Sequence, residues 1–163
     1  MTKPKKATET GRTPMDSALR YLGARARTVR EVERHLDSCE YGEVEVYETV
    51  ERLKELGLLD DVAFATEFVR TRLATKPISR AQLREQLLSH ETDQEAIEQA
   101  LSQIDEETQQ QTAIATAEKY VRQYARLGQD ERDEMVIRRL LSRGYSYDEA
   151  RAALREAAQE TEE

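Results

Sequence analysis

Thr28-Val29-Arg30-Glu31-Val32-Glu33-Arg34-His35-Leu36 is the stretch that decides the fold. It opens with a capping box, a hydroxyl at 28 placed to accept from the amide of 31 and a carboxylate at 31 placed to reach back to the cap amide. Val32 and Leu36 then fall one turn apart, the spacing of a helix that buries one side. Leu36 also begins a set of four apolar positions completed by Val46, Val50 and Leu53. Adding 51 to these numbers gives Leu87, Ile97, Leu101 and Ile104, and adding 53 more gives Leu140, Ala150, Leu154 and Ala157. Val32 has its own counterparts in Leu83 and Val136, and the second helix of each copy starts near Thr28, Ser79 or Asp130. Amphipathic helices can always be aligned at some offset. Here the caps recur in step with the apolar positions, which reads as three tandem three-helix repeats of about fifty residues.

The expected organisation is all-α: repeats over residues 15–59, 60–105 and 106–158, preceded by a basic tail (1–14) and followed by an acidic one (159–163). One such unit buries only a small core, so the repeats are expected to stack into an elongated, curved molecule. Further starts support this. Ser79 to Gln82, Thr92 to Glu95 and Ser146 to Glu149 fit the same capping box, and Thr13-Pro14 places a proline at the first helical position. Asp60 and Asp61 put two anions where a helix dipole favours them. Gly57, Gly128 and Gly144 stand where a left-handed residue would end a helix. These marks predict helices at 15–26, 29–38, 43–56, 61–75, 80–89, 93–104, 107–126, 130–143 and 147–158. Only Val44-Glu45-Val46-Tyr47 alternates as a strand would, and briefly.

Composition agrees. Of 163 residues only six are Gly and three Pro, none is Trp, and 36% are charged, which disfavours a β-sandwich or a doubly wound sheet with glycine-rich loops. No apolar run reaches the ~18 residues of a membrane helix. Met1 to Pro14 is basic and polar, without the apolar segment of a secretory signal. Cys39 stands alone, which excludes an intramolecular disulfide and fits a cytoplasmic protein. The net charge of −8 opposes tight binding to bulk nucleic acid but permits a local basic face. Residues 1–27 sum to +5 and residues 28–60 to −6.

Arginine pairs recur one turn apart. Arg30 and Arg34 are flanked by Glu31 and Glu33 and read as a solvated, locally paired face. Arg70, Arg72, Lys76, Arg80 and Arg84 have fewer acids nearby and form a candidate partner-facing patch. A second cluster, Arg138, Arg139, Arg143, Arg151 and Arg155, encloses Tyr145 and Tyr147. Tyr145 either contacts a base or partner, or packs on the turn before it as the residue beyond a helix-ending glycine does. The acidic run Glu43, Glu45, Glu48, Glu51 and Glu55 reads as a solvated face. Lys3, Lys5, Lys6 and Arg12 are either a loose DNA tether or a solubilising tail. His35 and Cys39 have a metal-compatible spacing but no second pair, so no metal site is expected. No Walker A, GxGxxG, GxSxG or HExxH motif occurs, so neither an enzyme nor a cofactor is expected.

Leu53-Lys54-Glu55-Leu56-Gly57-Leu58-Leu59-Asp60-Asp61-Val62-Ala63-Phe64-Ala65 resembles the junction between the first two repeats of the RecX family, regulators of the RecA recombinase. Arg80 to Leu87 is similar to that family's second-repeat helix, and Leu140 to Asp148 to its third-repeat Arg-Gly-aromatic turn. The resemblance spans about residues 16–157. Lys76-Pro77 lacks the glycine the family usually carries before that proline, and Ser89-His90-Glu91 stands where the family often has Lys-Gly.

The resemblance implies a non-enzymatic protein of the bacterial cytoplasm that lies in the groove of the RecA–single-strand DNA filament. It would limit filament growth, strand exchange, ATP hydrolysis and coprotease activity, the steps behind recombinational repair and the SOS response. Several weak contacts to a repeating lattice reinforce one another through effective concentration. The partner-binding residues expected from this are Arg70, Arg72, Lys76, Arg80, Arg84, Arg138, Arg139, Arg143, Tyr145, Arg151 and Arg155. A monomer with weak DNA contact of its own is expected. The alternative is a sequence-independent DNA-binding module that competes with RecA for single strands, and behind it a helical adaptor with another partner.

Overall fold

The structure, a computed structural model, describes residues 11–160. Lys3, Lys5 and Lys6 of the basic segment, and residues 161–163, lie outside them. The described chain is nine helices and the turns between them: α1 (Pro14–Ala24), α2 (Val29–Ser38), α3 (Glu43–Glu55), α4 (Asp61–Thr75), α5 (Arg80–Ser89), α6 (Gln94–Leu101), α7 (Glu106–Gln123), α8 (Gln129–Ser142) and α9 (Tyr147–Glu160). None of them is long and apolar enough to cross a membrane. α1 stops two residues short of its expected end, α3 and α8 one short, and α6 and α7 three short. After α6 the Ile104 amide bonds back to Leu101 (3.0 Å), and after α7 the Leu127 amide bonds to Tyr124 (3.0 Å), so both segments finish in turns.

The chain divides into two compact units, residues through 65 with 87–97, and 66–86 with 98 onward; the boundary runs through α4, α5 and α6. In the first unit, α1, α2 and α3 pack on one another around Ala18, Val32, Leu36, Val46, Val50 and Leu53. In the second, α7, α8 and α9 pack around Ala113, Ala117, Tyr120, Val136, Leu140 and Ala150. The small residues Ala150, Ala153 and Ala157 all lie buried on α9. Of the twelve repeating apolar positions, Leu154 is half-buried and the rest are buried. Truncating a fully buried leucine such as Leu36 costs about 2–5 kcal/mol.

Thr13, Thr28 and Ser146 head α1, α2 and α9 with full reciprocal capping boxes, closed by Asp16, Glu31 and Glu149. Two caps differ from expectation. At α5 the Ser79 hydroxyl accepts from the Gln82 amide (3.1 Å), but the Ser79 amide donates to the Arg143 carbonyl (2.9 Å) rather than to the Gln82 side chain. At α6 the cap is Asp93, which accepts from the Ala96 amide (3.3 Å), while the Thr92 hydroxyl donates to the Leu87 carbonyl (2.8 Å).

The helix ends repeat as well. α2, α5 and α8 each close with a bond from the residue after a left-handed position back to a buried leucine: Tyr41 to Leu36 (3.4 Å), Thr92 to Leu87 (3.2 Å), Tyr145 to Leu140 (3.3 Å). The left-handed residues are Glu40 (φ 65°), Glu91 (φ 53°) and Gly144 (φ 89°). Gly128, expected in this role, has φ −58° and instead precedes α8, because α7 has already ended at Gln123. Gly144 alone lacks room for a side chain: a Cβ there would meet Ser79 Oγ and Gln82 Oε1, each at 2.6 Å. Glu91 has space, and its carboxylate bridges Arg34 (2.6 Å) and Arg30 (3.5 Å). The departure at Ser89-His90-Glu91 thus replaces a permissive glycine by an ion-paired residue.

Each unit contains a joint at the start of a middle helix. In the first unit the Thr28 hydroxyl donates to the His90 carbonyl (2.7 Å), and the Val29 amide, first of α2, donates to Asp61 Oδ1 (2.9 Å). Asp61 Oδ2 accepts from the Asp93 amide (2.8 Å), so one carboxylate serves the N-terminal amides of α2 and α6. In the second unit the Arg80 amide, first of α5, donates to Gln109 Oε1 (2.8 Å), and Gln109 Nε2 donates to Glu149 Oε1 (2.7 Å). The two joints use different residues for the same purpose, which is to satisfy helix-start amides that cannot bond within their own helix.

Candidate partner-binding surface

The expected surface residues all belong to the second unit, and the structure sorts them by what their guanidinium groups are doing. Arg70 is held by Glu67 through Nε (2.9 Å) and Nη2 (2.5 Å), and Arg84 by Glu98 through two bonds of 3.0 and 3.1 Å. These contacts keep Glu67 and Glu98 below the ordinary carboxylate range. Arg80 Nη1 donates to the Ile104 carbonyl (3.1 Å), tying the start of α5 to the turn after α6. Arg143 donates to the Tyr120 hydroxyl (2.7 Å) and to the Pro77 carbonyl (3.2 Å). With the Ser79–Arg143 backbone bond, this brings the two sequence clusters together: the end of α8 sits on the α4–α5 turn, beside exposed Lys76. Arg80 and Arg143 are therefore structural braces rather than free cations, and Arg70 and Arg84 are neutralised where they stand.

Tyr145 is a correction. It is 3% exposed in the α7–α9 core, and burial, followed by the nearby Glu149 charge, pushes its phenol up to about 12. It packs because the residue after a left-handed turn folds back on the helix it follows. The aromatic on the surface is Tyr147, first residue of α9, 55% exposed with the Arg151 guanidinium 5.7 Å from its ring centre. No local sequence signal marks it, because its exposure depends on which helices pack over the start of α9.

What remains uncommitted is Lys76, Arg138, Arg151 and Arg155, with Arg72 resting against Phe68 (5.1 Å) and Arg139 bonded to the Tyr124 hydroxyl (2.9 Å). None of these six has a carboxylate at ion-pairing distance among the described residues. The first unit differs. Its Arg25, Arg30, Arg34, Arg52 and Lys54 each contact an acid, namely Glu31, Glu33, Glu91, Glu55 and Glu51 respectively. Exposed pairs of this kind add little stability, but they cancel local potential. Arg12, Arg20 and Arg27 of the first unit also contact no carboxylate among the described residues, so unpaired cations occur in both units and are more numerous in the second.

Other candidates offer less. A cavity of about 700 Å³ in the first unit is lined by Arg30, Glu33, Lys54, Asp60, Asp61 and Glu91 among others. All six already have partners within the chain. His35 stacks on Tyr21 (4.0 Å between ring centres), and burial, with the charge of Arg27, lowers its pKa. Cys39 Sγ lies 3.8 Å from its Nε2, but no group of three His, Cys, Asp or Glu side chains among the described residues could hold a metal.

Nine helices among the described residues and a repeating helix-end geometry define the class as an all-α helical-repeat protein. Comparison with known proteins gives the family. The first three-helix domain of RecX matches residues 15–53, and the second matches 60–101. The chain belongs to the RecX family. Among curated relatives, the regulatory protein RecX of Bacillus licheniformis is 31% identical over 90% of this chain and 56% of its own, and that of Chlorobium phaeobacteroides 39% identical over 44% and 48%. The chain spans about half the length of these relatives. A crystal structure of RecX from Lactobacillus salivarius superposes with a TM-score of 0.76 at 27% identity, covering 90% of this chain and 95% of that one.

Proposed function

We propose that this protein modulates the RecA recombinase, in most settings as a negative regulator, by binding in the groove of the RecA–single-strand DNA filament. The observation that carries this reading is membership of the RecX family. It acts in the bacterial cytoplasm as a monomer, without catalysis or cofactor, and is built as three repeats over residues 15–59, 60–105 and 106–158. Filament growth, strand exchange, ATP hydrolysis and coprotease activity fall together, since all depend on the same lattice. The cations that meet the filament are Arg72, Lys76, Arg138, Arg139, Arg151 and Arg155. Their lack of carboxylate partners among the described residues supports this assignment. The fully committed Arg70, Arg80, Arg84 and Arg143 hold the surface in shape.

The same uncommitted arginines favour a second reading, a DNA-binding module that competes with RecA for the strand. RecA's DNA-dependent ATP hydrolysis, titrated with this protein well below one copy per RecA, separates the two. Inhibition at low ratio with little affinity for the bare strand is the expected result. Inhibition only at strand-covering amounts would establish competition instead.

A further inference from the structure

α9 carries Tyr147, Arg151 and Arg155 at four-residue intervals. Four residues advance about 6 Å along a helix and turn about 40° past a full circle, so the three side chains form one continuous stripe about 12 Å long. All three are exposed. The Tyr147 ring is braced by the Arg151 guanidinium at 5.7 Å, yet more than half of the residue's surface stays open. From Arg138 to Arg155 there are five arginines and two acids. One of the acids, Glu149, is spent on the Ser146 amide (2.8 Å) and on Gln109 (2.7 Å). Asp148 is left facing solvent.

The stripe is chemically selective. A protein-docking patch is apolar at its centre, whereas Tyr147 is the only large apolar side chain exposed on α9. An unpaired nucleic-acid strand asks for a flat π surface and cations that follow its backbone. We propose that Tyr147 is a base-stacking platform for single-stranded nucleic acid, with Arg151 and Arg155 taking the adjacent phosphates. This rests on the reading that the protein works on strand-bound RecA, and adds a direct contact to the strand itself.

The chain contains no tryptophan, so Tyr147→Trp places a single indole reporter in it. Titration with a short oligothymidylate at low salt should quench that indole, and the matching duplex should not, because its bases are already stacked. Tyr47→Trp, on the exposed face of α3 (66% exposed), supplies the comparison and should stay unquenched. Tyr147→Ala should weaken strand binding at least about fivefold, while Tyr147→Phe, which keeps the ring, should retain it.

Equal quenching at positions 47 and 147, or equal quenching by strand and duplex, would overturn the proposal. So would an emission change produced by RecA without DNA and absent with the strand, which would assign the stripe to protein. Failure of wild-type protein to inhibit RecA's ATP hydrolysis at low ratio would count against the modulator reading, and quenching at 147 would still uphold the stacking contact.

Discussion

Glu40, Glu91 and Gly144 occupy the same left-handed position in three equivalent helix ends, and each meets its cost differently. A non-glycine residue there costs roughly 1–2 kcal/mol. Glu91 recovers part of it through Arg30 and Arg34, whereas the exposed Glu40 side chain sits where a glycine would serve better. Glu40→Gly should therefore raise the melting temperature by about 2–4 °C per kcal/mol recovered. Gly144→Ala should lower it, by more than that amount, because a positive φ and a 2.6 Å encounter with Ser79 and Gln82 add together. Thermal unfolding followed by circular dichroism checks both signs. Equal melting temperatures for Gly144→Ala and the parent would mean that α5 and the end of α8 are not seated on one another.

At the scale of elements, the helix starts tie stability to acidity. Burial pushes the Glu31 carboxyl upward, but the Thr28 amide, His90 and Arg25 outweigh it and leave the group below its ordinary range. Glu149 follows the same pattern: burial raises it, and the Ser146 amide, Gln109, the Ser146 hydroxyl and Arg80 bring it down. A carboxylate depressed in the folded state stabilises fully above its unfolded pKa of about 4.3, and that contribution disappears as pH falls through the folded value. The melting temperature should thus hold from neutrality to mild acid and fall below about pH 5. Glu149→Gln should melt lower at pH 7 and lose less on acidification; a parallel acid limb in parent and variant would show that Glu149 does not contribute. The starts themselves were readable in sequence, because a cap and its third neighbour are local. The partners of those starts were not. Val29 meets Asp61 across 32 residues and Arg80 meets Gln109 across 29, and nothing in the spacing of Asp60-Asp61 distinguishes a carboxylate serving its own helix from one serving two others. Tyr145 and Tyr147 divide along the same line. The burial of Tyr145 follows from the turn it completes, whereas the freedom of Tyr147 depends on what other helices leave uncovered.

For the molecule as a whole, a net charge of −8 coexists with a set of second-unit cations, Arg72, Lys76, Arg138, Arg139, Arg151 and Arg155, that have no carboxylate at ion-pairing distance among the described residues. Binding to a bare strand should accordingly be weak and markedly salt-dependent. If three or four of these cations meet phosphates, the logarithm of affinity should fall with that of salt at a slope of about −2 to −3. Replacing Arg151 and Arg155 together by glutamine should flatten the slope by about 1.4, whereas Arg70→Gln, which removes a cation already held by Glu67, should leave it nearly unchanged. Fluorescence anisotropy across a salt series reads this directly, and an unchanged slope in the double variant would place the phosphate contacts elsewhere.

The two helix-start joints bear on how such chains acquire their length. In each, a segment brings both a donor-bearing helix start and the acceptor that receives the start of the segment before it, as Asp61 does for Val29 and Gln109 for Arg80. A duplication copying one whole segment would copy plug and socket together, so the new copy arrives ready to dock. Growth by insertion of complete segments is then permitted, while loss of a fraction of one strands a row of amides. Longer relatives, such as one in which 148 aligned residues make up 55% of the whole, are what that rule of inheritance allows.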